Sequence, residues 1–181
     1  WERFGEALEY LKIIHSVDVP IHFGQTIVAA HGDKFLQEVT IAELDAKWRP
    51  ISGTKRRLAT DVACIGFGFI PSTQLSRLCG CAHTYRSEAG GWVVAHDECQ
   101  RTSNPDVFVA SESTGISGAD VAMAQGAIAG IFAACDLGAI SDAEALRRAA
   151  PYRQRLKRLQ PFVTMVRELF FPQCGLRELI T

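Results

Sequence analysis

The sequence predicts an α/β fold, and two stretches carry that prediction. In the first, Gln25 to Ala30 and Phe35 to Leu44 have the composition of strands, and the His31-Gly32-Asp33 turn between them predicts a hairpin. In the second, the short apolar run Val107 to Ala110 predicts a buried strand, and a polar loop then leads into a helix expected to begin near Gly118 or Ala119. Strands and helices therefore share a chain of 181 residues, as in α/β proteins.

The helix that begins near Gly118 has an unusual face. Residues four apart on a helix share a face, and one such row consists of small residues only: Gly118, Ala122, Gly126, Gly130 and Ala134. A glycine inside a helix costs about 1 kcal/mol relative to alanine, so a row of this kind is useful where another group must approach the backbone closely. A tight loop before a helix N-terminus also presents bare N–H groups, which suit a phosphate or pyrophosphate.

Other elements follow from periodicity and from turn residues. We expect an amphipathic helix at Trp1–Ile14 and a short helix at Gln74–Leu78. Two further segments are strand-like, Val17–Phe23 and Gly91–His96. Gly138 is expected to cap the small-residue helix, and Ser141-Asp-Ala-Glu144 is a capping box that opens the next one. Pro151 predicts the start of a further helix, which is expected to end at Pro172.

Composition excludes several classes of protein. With 48% hydrophobic and 22% charged residues and a net charge of −1, the chain has no nucleic-acid footprint, and no apolar run predicts a transmembrane segment. The cysteines are scattered, and only Cys79-Gly80-Cys81 is a local pair, so no metal site is predicted. Free core thiols in a reducing, cytoplasmic environment are favoured over a redox role for that pair.

One segment resembles a known family. Val107-Phe-Val-Ala-Ser-Glu112, followed by Gly118-Ala119 and Gln125-Gly126, is similar to the C-terminal flavin motif of two-dinucleotide-binding-domain flavoproteins, the FAD-dependent pyridine nucleotide-disulfide oxidoreductase superfamily. The nearest resemblance is to the A (alpha) subunits of opine (octopine or nopaline) oxidase, hydrogen cyanide synthase and related amino-acid dehydrogenases. In the superfamily a strand ends in Gly-Asp, and the acid bonds the ribityl chain of FAD. Here the pair is Ser111-Glu112, which adds a Cβ and one methylene.

The resemblance implies a set of cofactor-binding residues. Glu112 would contact the ribityl chain, and the start of the helix would offer backbone N–H groups to FAD; the residues implied are Ser111, Glu112, Gly118, Ala119, Asp120 and Val121. Because an acid near a phosphate is repulsive, Asp120 is expected to cap the helix or face solvent. Glu112 has an alternative role as a simple cap of that helix. The sequence identifies no catalytic residue.

The resemblance also implies a domain organisation. Residues 1–70 would be the C-terminal part of an NAD(P)-like domain, 71–138 the C-terminal part of the FAD-binding domain, and 139–181 C-terminal helices that lead to a missing segment. Gly66-Phe-Gly68 is not a Rossmann fingerprint, because Pro71 stands where the third glycine belongs. The first half of the flavin site would then lie upstream, so we expect weak or no FAD binding by these residues alone.

The function implied is that of a flavin-dependent oxidoreductase subunit. The full-length parent would transfer a hydride from a small amino-acid or opine substrate to FAD. NAD(P) is a possible further cofactor, and so is a [2Fe–2S] cluster in a segment outside this chain. A second, beta-type subunit is the implied partner, and the location would be cytoplasmic, or at a membrane through partner subunits. The alternative is a non-catalytic interaction or assembly module that keeps the fold and has lost the cofactor.

The histidines and the basic cluster are expected to have structural and not catalytic roles. His83 and His96 sit in no acid–base constellation and are expected to be surface or hydrogen-bonded histidines. A basic cluster without an acid among its members is expected to be a solvated helix face, with a partner subunit or a phosphate as alternatives: Arg147, Arg148, Arg153, Arg155, Lys157 and Arg158.

Overall fold

The computed structural model describes residues 2–17, 19–66 and 68–170. These fall into two compact units, one within residues 2–65 and one within residues 66–170. Helices occur together with two small antiparallel sheets, which agrees with the predicted α/β class. The assignment of domains to 1–70, 71–138 and 139–181 stays a prediction.

The first unit contains a three-stranded sheet. Helix α1 spans Glu2–Ser16, and strands β1 (Gln25–His31), β2 (Glu38–Glu43) and β3 (Arg56–Ala59) pair antiparallel in that order. The predicted hairpin is confirmed, because β1 and β2 are neighbours joined by the expected turn, with a shift of register between Ile27 and Ala29. Central β2 provides the buried side chains of Val39 and Ala42.

Two predictions for this unit need correction. The described residues of 17–23 form no strand: Phe23 is 87% exposed, and Pro20 cannot donate to a sheet. The second strand of the hairpin is shorter than expected, because the chain is still in the exposed turn at Phe35. The helix predicted at Trp1–Ile14 is confirmed as α1, although Leu8 and Leu11 on it are exposed.

The second unit is built on two long helices. Its elements are α2 (Gln74–Leu78), β4 (His83–Arg86), β5 (Gly91–Val94), α3 (Ala119–Asp136) and α4 (Asp142–Phe170). Strands β4 and β5 form an antiparallel pair around a 3-10 turn at Ser87–Ala89, and Gly90 completes the turn with φ +96°. The predicted short helix and short strand are therefore confirmed.

The main core of this unit lies between α3 and α4. Ile128 and Phe132 of α3 are buried against Ala145 and Ala149 of α4, whose small side chains let the helices approach closely. Helix α3 begins at Ala119 after Gly118, as predicted. Its glycines Gly126 and Gly130 lie on an open side, since an added Cβ at either would meet nothing within 4 Å.

Helix α3 also bears on the membrane prediction. The sequence predicted no transmembrane segment, yet α3 is, among the described helices, the one whose length and apolar composition would allow it to cross a membrane. Length and composition are the only grounds for that assignment, and the buried side of α3 packs on α4.

Two predictions for the second unit are wrong. Val107 to Ala110 is not a regular strand, because only an isolated bridge between Arg101 and Phe108 forms there. Pro151 does not start a helix, because α4 runs without a break through Pro151 and Pro161. The capping box is confirmed on one side, since the Glu144 N–H donates to Ser141 Oγ at 3.3 Å. The predicted end at Pro172 lies outside the described residues.

Candidate cofactor site

The residues implied by the flavin motif occupy one continuous stretch of the second unit. Ser111 and Glu112 begin a 3-10 turn, Ser111–Thr114, and the chain then passes through Gly115–Gly118 into the first turn of α3. Glu112, Gly118 and Ala119 are exposed. Ser111 and Asp120 are partly exposed, whereas the Val121 side chain is buried, so Val121 can offer only its backbone to a ligand.

The backbone of Ser111 is held in an uncommon conformation. Its φ is +70°, in the left-handed region that glycine adopts readily and other residues adopt at a cost. The Ser111 N–H donates to Oε1 of Gln125 at 2.8 Å, and the Thr114 hydroxyl lies 3.1 Å from the same oxygen. A buried side chain on α3 therefore fixes the turn that carries Glu112.

The loop between the turn and α3 is fixed from two sides. Gly115 has φ +121°, and a Cβ there would lie 2.9 Å from Ala89 Cβ. The Ile116 N–H donates to the Ala89 carbonyl at 3.2 Å, and Arg167 Nε donates to the Ile116 carbonyl at 3.1 Å. Glycine at position 115 is thus required both by the backbone angle and by the close approach of Ala89.

Arg167 is a functional candidate that the sequence reasoning missed. It is a partly buried cation on α4 that forms no ion pair with any described carboxylate, and burial lowers its pKa. A signal was present in the sequence, because Arg167 comes four residues after buried Val163 and so belongs to the packed face of α4. Its guanidinium adds positive charge beside the loop that leads into the N-terminus of α3.

The N-terminus of α3 itself has no side-chain cap. Gly118 is the N-cap residue, with φ +84°, and no side chain forms a capping hydrogen bond there. The alternative prediction that Glu112 caps this helix is therefore wrong. In the part of the chain that the structure describes, the Glu112 carboxylate forms no ion pair. An exposed acid and an uncapped helix start lie at opposite ends of one short loop.

Three arginines of the basic cluster form ion pairs with acids, one of which is Asp120. Arg155 Nη2 donates to Asp120 Oδ1 at 2.9 Å, which offsets the charge of the acid in the first turn of α3. Glu144 binds both Arg147 and Arg148. The predicted solvated face is confirmed for these arginines, since Arg147, Arg148 and Arg155 are at least half exposed, and acids from α3 and from the start of α4 pair with them.

The remaining candidates are two histidines and the cysteines, and the histidines are hydrogen-bonded as predicted. His83 Nε2 lies 2.9 Å from Ser76 Oγ, and His96 Nδ1 lies 2.9 Å from the Asp97 carbonyl oxygen. The described cysteines are free thiols as expected, but the expected core position is wrong for Cys64 and Cys79, which are exposed, whereas Cys81 is buried. No group of three or more metal-binding side chains occurs within the described residues.

The site fits a flavin dinucleotide in its chemistry. An uncapped N-terminus on an 18-residue helix favours a phosphate, and the Asp120 charge that would oppose it is paired. Glu112 is exposed and has acceptor oxygens for hydroxyl groups. These residues would supply only part of such a site, because the described contacts come from a single loop and its supports.

Comparison with known proteins gives the class of protein to which the chain is similar. No family model matches the chain. The chain is similar to subunits of enzymes of oxidoreductase type, as the names of its relatives show.

The particular relatives come from two kinds of enzyme. Hydrogen cyanide synthase subunit HcnB of Pseudomonas aeruginosa is 34% identical over 180 residues, which is 98% of this chain and 38% of that protein. The HcnB protein of Pseudomonas protegens is 33% identical over 161 residues, 89% of this chain and 34% of that protein. The opine oxidase A subunit of Rhizobium meliloti is 30% identical over 107 residues, 59% of this chain and 20% of that protein. The chain thus spans well under half the length of these relatives.

Proposed function

We propose that this chain is part of a flavin-dependent oxidoreductase subunit of the amino-acid or opine oxidase or dehydrogenase type. FAD would be contacted by Ser111, Glu112, Gly118, Ala119, Asp120 and Val121. The observation that carries the proposal is the φ of +70° at Ser111. Glycine stands at this place in the resembled motif, and Ser111 keeps the backbone that glycine favours, with an exposed carboxylate immediately after it.

Each residue has a role that its surroundings support. The Glu112 carboxylate accepts hydrogen bonds from the ribityl hydroxyls. The first turn of α3, from Ala119 to Val121, presents its N–H groups to a phosphate, and pairing with Arg155 keeps Asp120 from repelling it. Arg167 holds the Ile116 carbonyl and places a cation behind the loop.

The bound flavin would supply the redox chemistry by accepting a hydride from a small amino-acid or opine substrate. The residues of this chain would bind and orient the cofactor. A second, beta-type subunit, NAD(P), and a [2Fe–2S] cluster in a segment outside residues 1–181 belong to the same proposal. The partner is supported by the names of the relatives, each of which is called a subunit of an enzyme. A cytoplasmic location is proposed as well.

The test is the flavin content of the protein purified from its complete coding sequence. We expect wild-type protein to carry the visible flavin band, Glu112→Ala to lose most of it, and Glu43→Ala, which removes an exposed carboxylate on β2, to keep it. Colourless wild-type protein that also fails to bind added FAD would refute the proposal and favour the non-catalytic module. Equal flavin in both variants would refute the role of Glu112.

A second arm uses the 181-residue chain alone. Titration with FAD, followed by flavin fluorescence, is expected to give weak or no binding, because upstream residues would supply the remaining contacts. Tight stoichiometric binding here would contradict the half-site expectation while supporting FAD as the cofactor.

A further inference from the structure

An exposed apolar segment joins α1 to β1 in the first unit. Every second residue of it is apolar, and Val19, Ile21 and Phe23 are 54%, 48% and 87% exposed. Apolar residues at alternate positions are typical of a strand with one buried face, because successive side chains of a strand point to opposite faces. Residues 19–23, which we call the 19–23 segment, thus have the sequence of a half-buried strand, yet their side chains are exposed in the described chain.

The backbone of the 19–23 segment has a free edge. Among the described residues, the N–H groups of Ile21 and Phe23 donate to no acceptor. In a strand the N–H and C=O of one residue point to the same edge and those of the next residue point to the other, so Ile21 and Phe23 share an edge. Pro20 lies on the opposite edge, where it has no N–H to donate. The free edge and the apolar face therefore belong to the same residues.

Both ends of the segment are held in place. The Val19 N–H donates to the carbonyl of Ile14 on α1 at 3.4 Å, and the Gly24 carbonyl accepts a hydrogen bond from the Leu44 N–H at 2.7 Å. The segment is therefore anchored to α1 at one end and next to the end of β2 at the other. Because its ends are fixed, ordering it against a partner costs less conformational entropy than ordering a loose loop.

The first unit leaves much of its apolar surface exposed. Among its described residues the buried hydrophobic side chains are Val39 and Ala42, both on β2. Leu8 and Leu11 of α1 are exposed, as is the 19–23 segment. Exposed apolar residues that stand singly are normal on a protein surface, whereas a continuous run of them marks a contact with another element. We therefore expect a further element to complete this unit.

The element that fits is a strand of the same protein. The backbone of another strand satisfies a free edge, and apolar side chains at alternate positions on that strand would cover the apolar face. This chain corresponds to 38% of the HcnB protein of Pseudomonas aeruginosa, so a protein of that size has further chain to supply the strand. A second copy fits less well, because so short a contact between two molecules has to offset the entropy of association.

We propose that the 19–23 segment forms a strand that pairs, along the edge of Ile21 and Phe23, with an apolar strand from the part of the full-length protein outside residues 1–181. The pairing satisfies the two free N–H groups and buries the side chains of Val19, Ile21 and Phe23. It does not depend on flavin binding, because the segment belongs to the first unit and the stretch from Ser111 to Val121 to the second.

Amide hydrogen exchange in the full-length protein, resolved to single residues, tests the proposal. We expect the amides of Ile21 and Phe23 to exchange at least about a hundredfold more slowly than the amide of Phe35, after correction for intrinsic rates. Phe35 is the reference because it lies in the exposed turn between β1 and β2. The protection should be unchanged when the protein is diluted, since the partner strand belongs to the same molecule.

Two phenylalanines provide a matched pair of variants. Phe23 and Phe35 are 87% and 82% exposed in the described chain, so Phe23→Ser and Phe35→Ser remove the same ring from similar positions. Phe23→Ser should lower the thermal midpoint of the full-length protein by about 5 °C or more, because the partner strand buries its ring, and Phe35→Ser should leave the midpoint unchanged.

Three outcomes would overturn the proposal. They are fast exchange at Ile21 and Phe23, protection that falls as the protein is diluted, which would indicate a second copy, and equal shifts of the thermal midpoint in the two serine variants. Exchange in the wild-type protein decides the question even where Phe23→Ser fails to fold.

Discussion

The Oε1 atom of Gln125 accepts a hydrogen bond from the backbone N–H of Ser111 at 2.8 Å. This contact joins the middle of α3 to the turn that carries Glu112. Gln125 is buried, and Ser111 is in the left-handed region, so the contact stabilises a backbone that serine would not readily adopt on its own. The Thr114 hydroxyl, 3.1 Å from the same oxygen, adds a second link.

Removing this acceptor should loosen the turn. Gln125→Met keeps the length of the side chain but leaves the Ser111 N–H without a partner, which should lower the free energy of unfolding by about 1–3 kcal/mol. Urea unfolding measures the loss, and faster hydrogen exchange at the Ser111 amide localises it. Gln154→Met, at an exposed position on α4, is the control and should change neither quantity. Unchanged exchange at Ser111 in Gln125→Met would show that the contact does not hold the turn.

Gly115 should tolerate alanine much less well than Gly138 does. Both have positive φ, but an added Cβ at Gly115 would come within 2.9 Å of Ala89 Cβ, whereas at Gly138 it would meet nothing within 4 Å. Gly138→Ala should therefore lower the free energy of unfolding by about 1–2 kcal/mol through backbone strain alone. Gly115→Ala should cost about 3 kcal/mol or more, because strain and overlap combine. Thermal unfolding of the two variants gives the comparison, and equal losses would mean that Ala89 moves aside freely.

The ion pair between Arg101 and Asp136 should make stability depend on acid pH. Arg101 Nε and Nη2 donate to the two Asp136 oxygens at 2.9 and 2.5 Å, and these hydrogen bonds lower the pKa of Asp136 below its ordinary value of 3.8. A carboxyl group with a lowered pKa in the folded state stabilises the fold above its unfolded pKa, and this contribution is lost as the pH falls through the folded pKa. Wild-type protein should therefore be more stable than Asp136→Asn at neutral pH, with the difference shrinking below pH 3.8.

Urea unfolding of both proteins across the acid range measures that dependence. Asp106→Asn, which removes an exposed acid without an ion pair among the described residues, should follow the wild-type curve. A difference between wild type and Asp136→Asn that stays constant with pH would contradict the assignment.

Replacing Pro151 should stabilise the protein. Pro151 lies inside α4, where it lacks an N–H and crowds the preceding turn, and it is exposed. Pro151→Ala should raise the free energy of unfolding by about 1–3 kcal/mol. Pro105→Ala should instead lower the free energy of unfolding by about 0.5–1 kcal/mol, because a proline in a turn restricts the unfolded chain. A destabilised Pro151→Ala would mean that α4 needs a proline bend to pack on α3.

The parts of the fold that the sequence predicted correctly are those set by neighbouring residues. The β1–β2 hairpin, the start of α3 after Gly118 and the Ser141 cap each depend on a turn residue or a cap within a few positions. The errors at Val107–Ala110 and Pro151 have the opposite origin. A strand needs a partner from elsewhere in the chain, and packing of α4 on α3 outweighs the local preference of Pro151 to begin a helix.

By itself, the sequence determined most of the helices, the β1–β2 hairpin, the motif from Ser111 to Val121 and the similarity to oxidoreductase subunits. The tertiary structure alone decided how Gln125 holds Ser111 and how Arg167 reaches the Ile116 carbonyl. The physical reason is the range of the interactions. Turn chemistry and periodicity act over a few residues, whereas these contacts join positions 14 and 51 residues apart. The first contact brings α3 back to the turn before it, and the second brings α4 to the loop before α3.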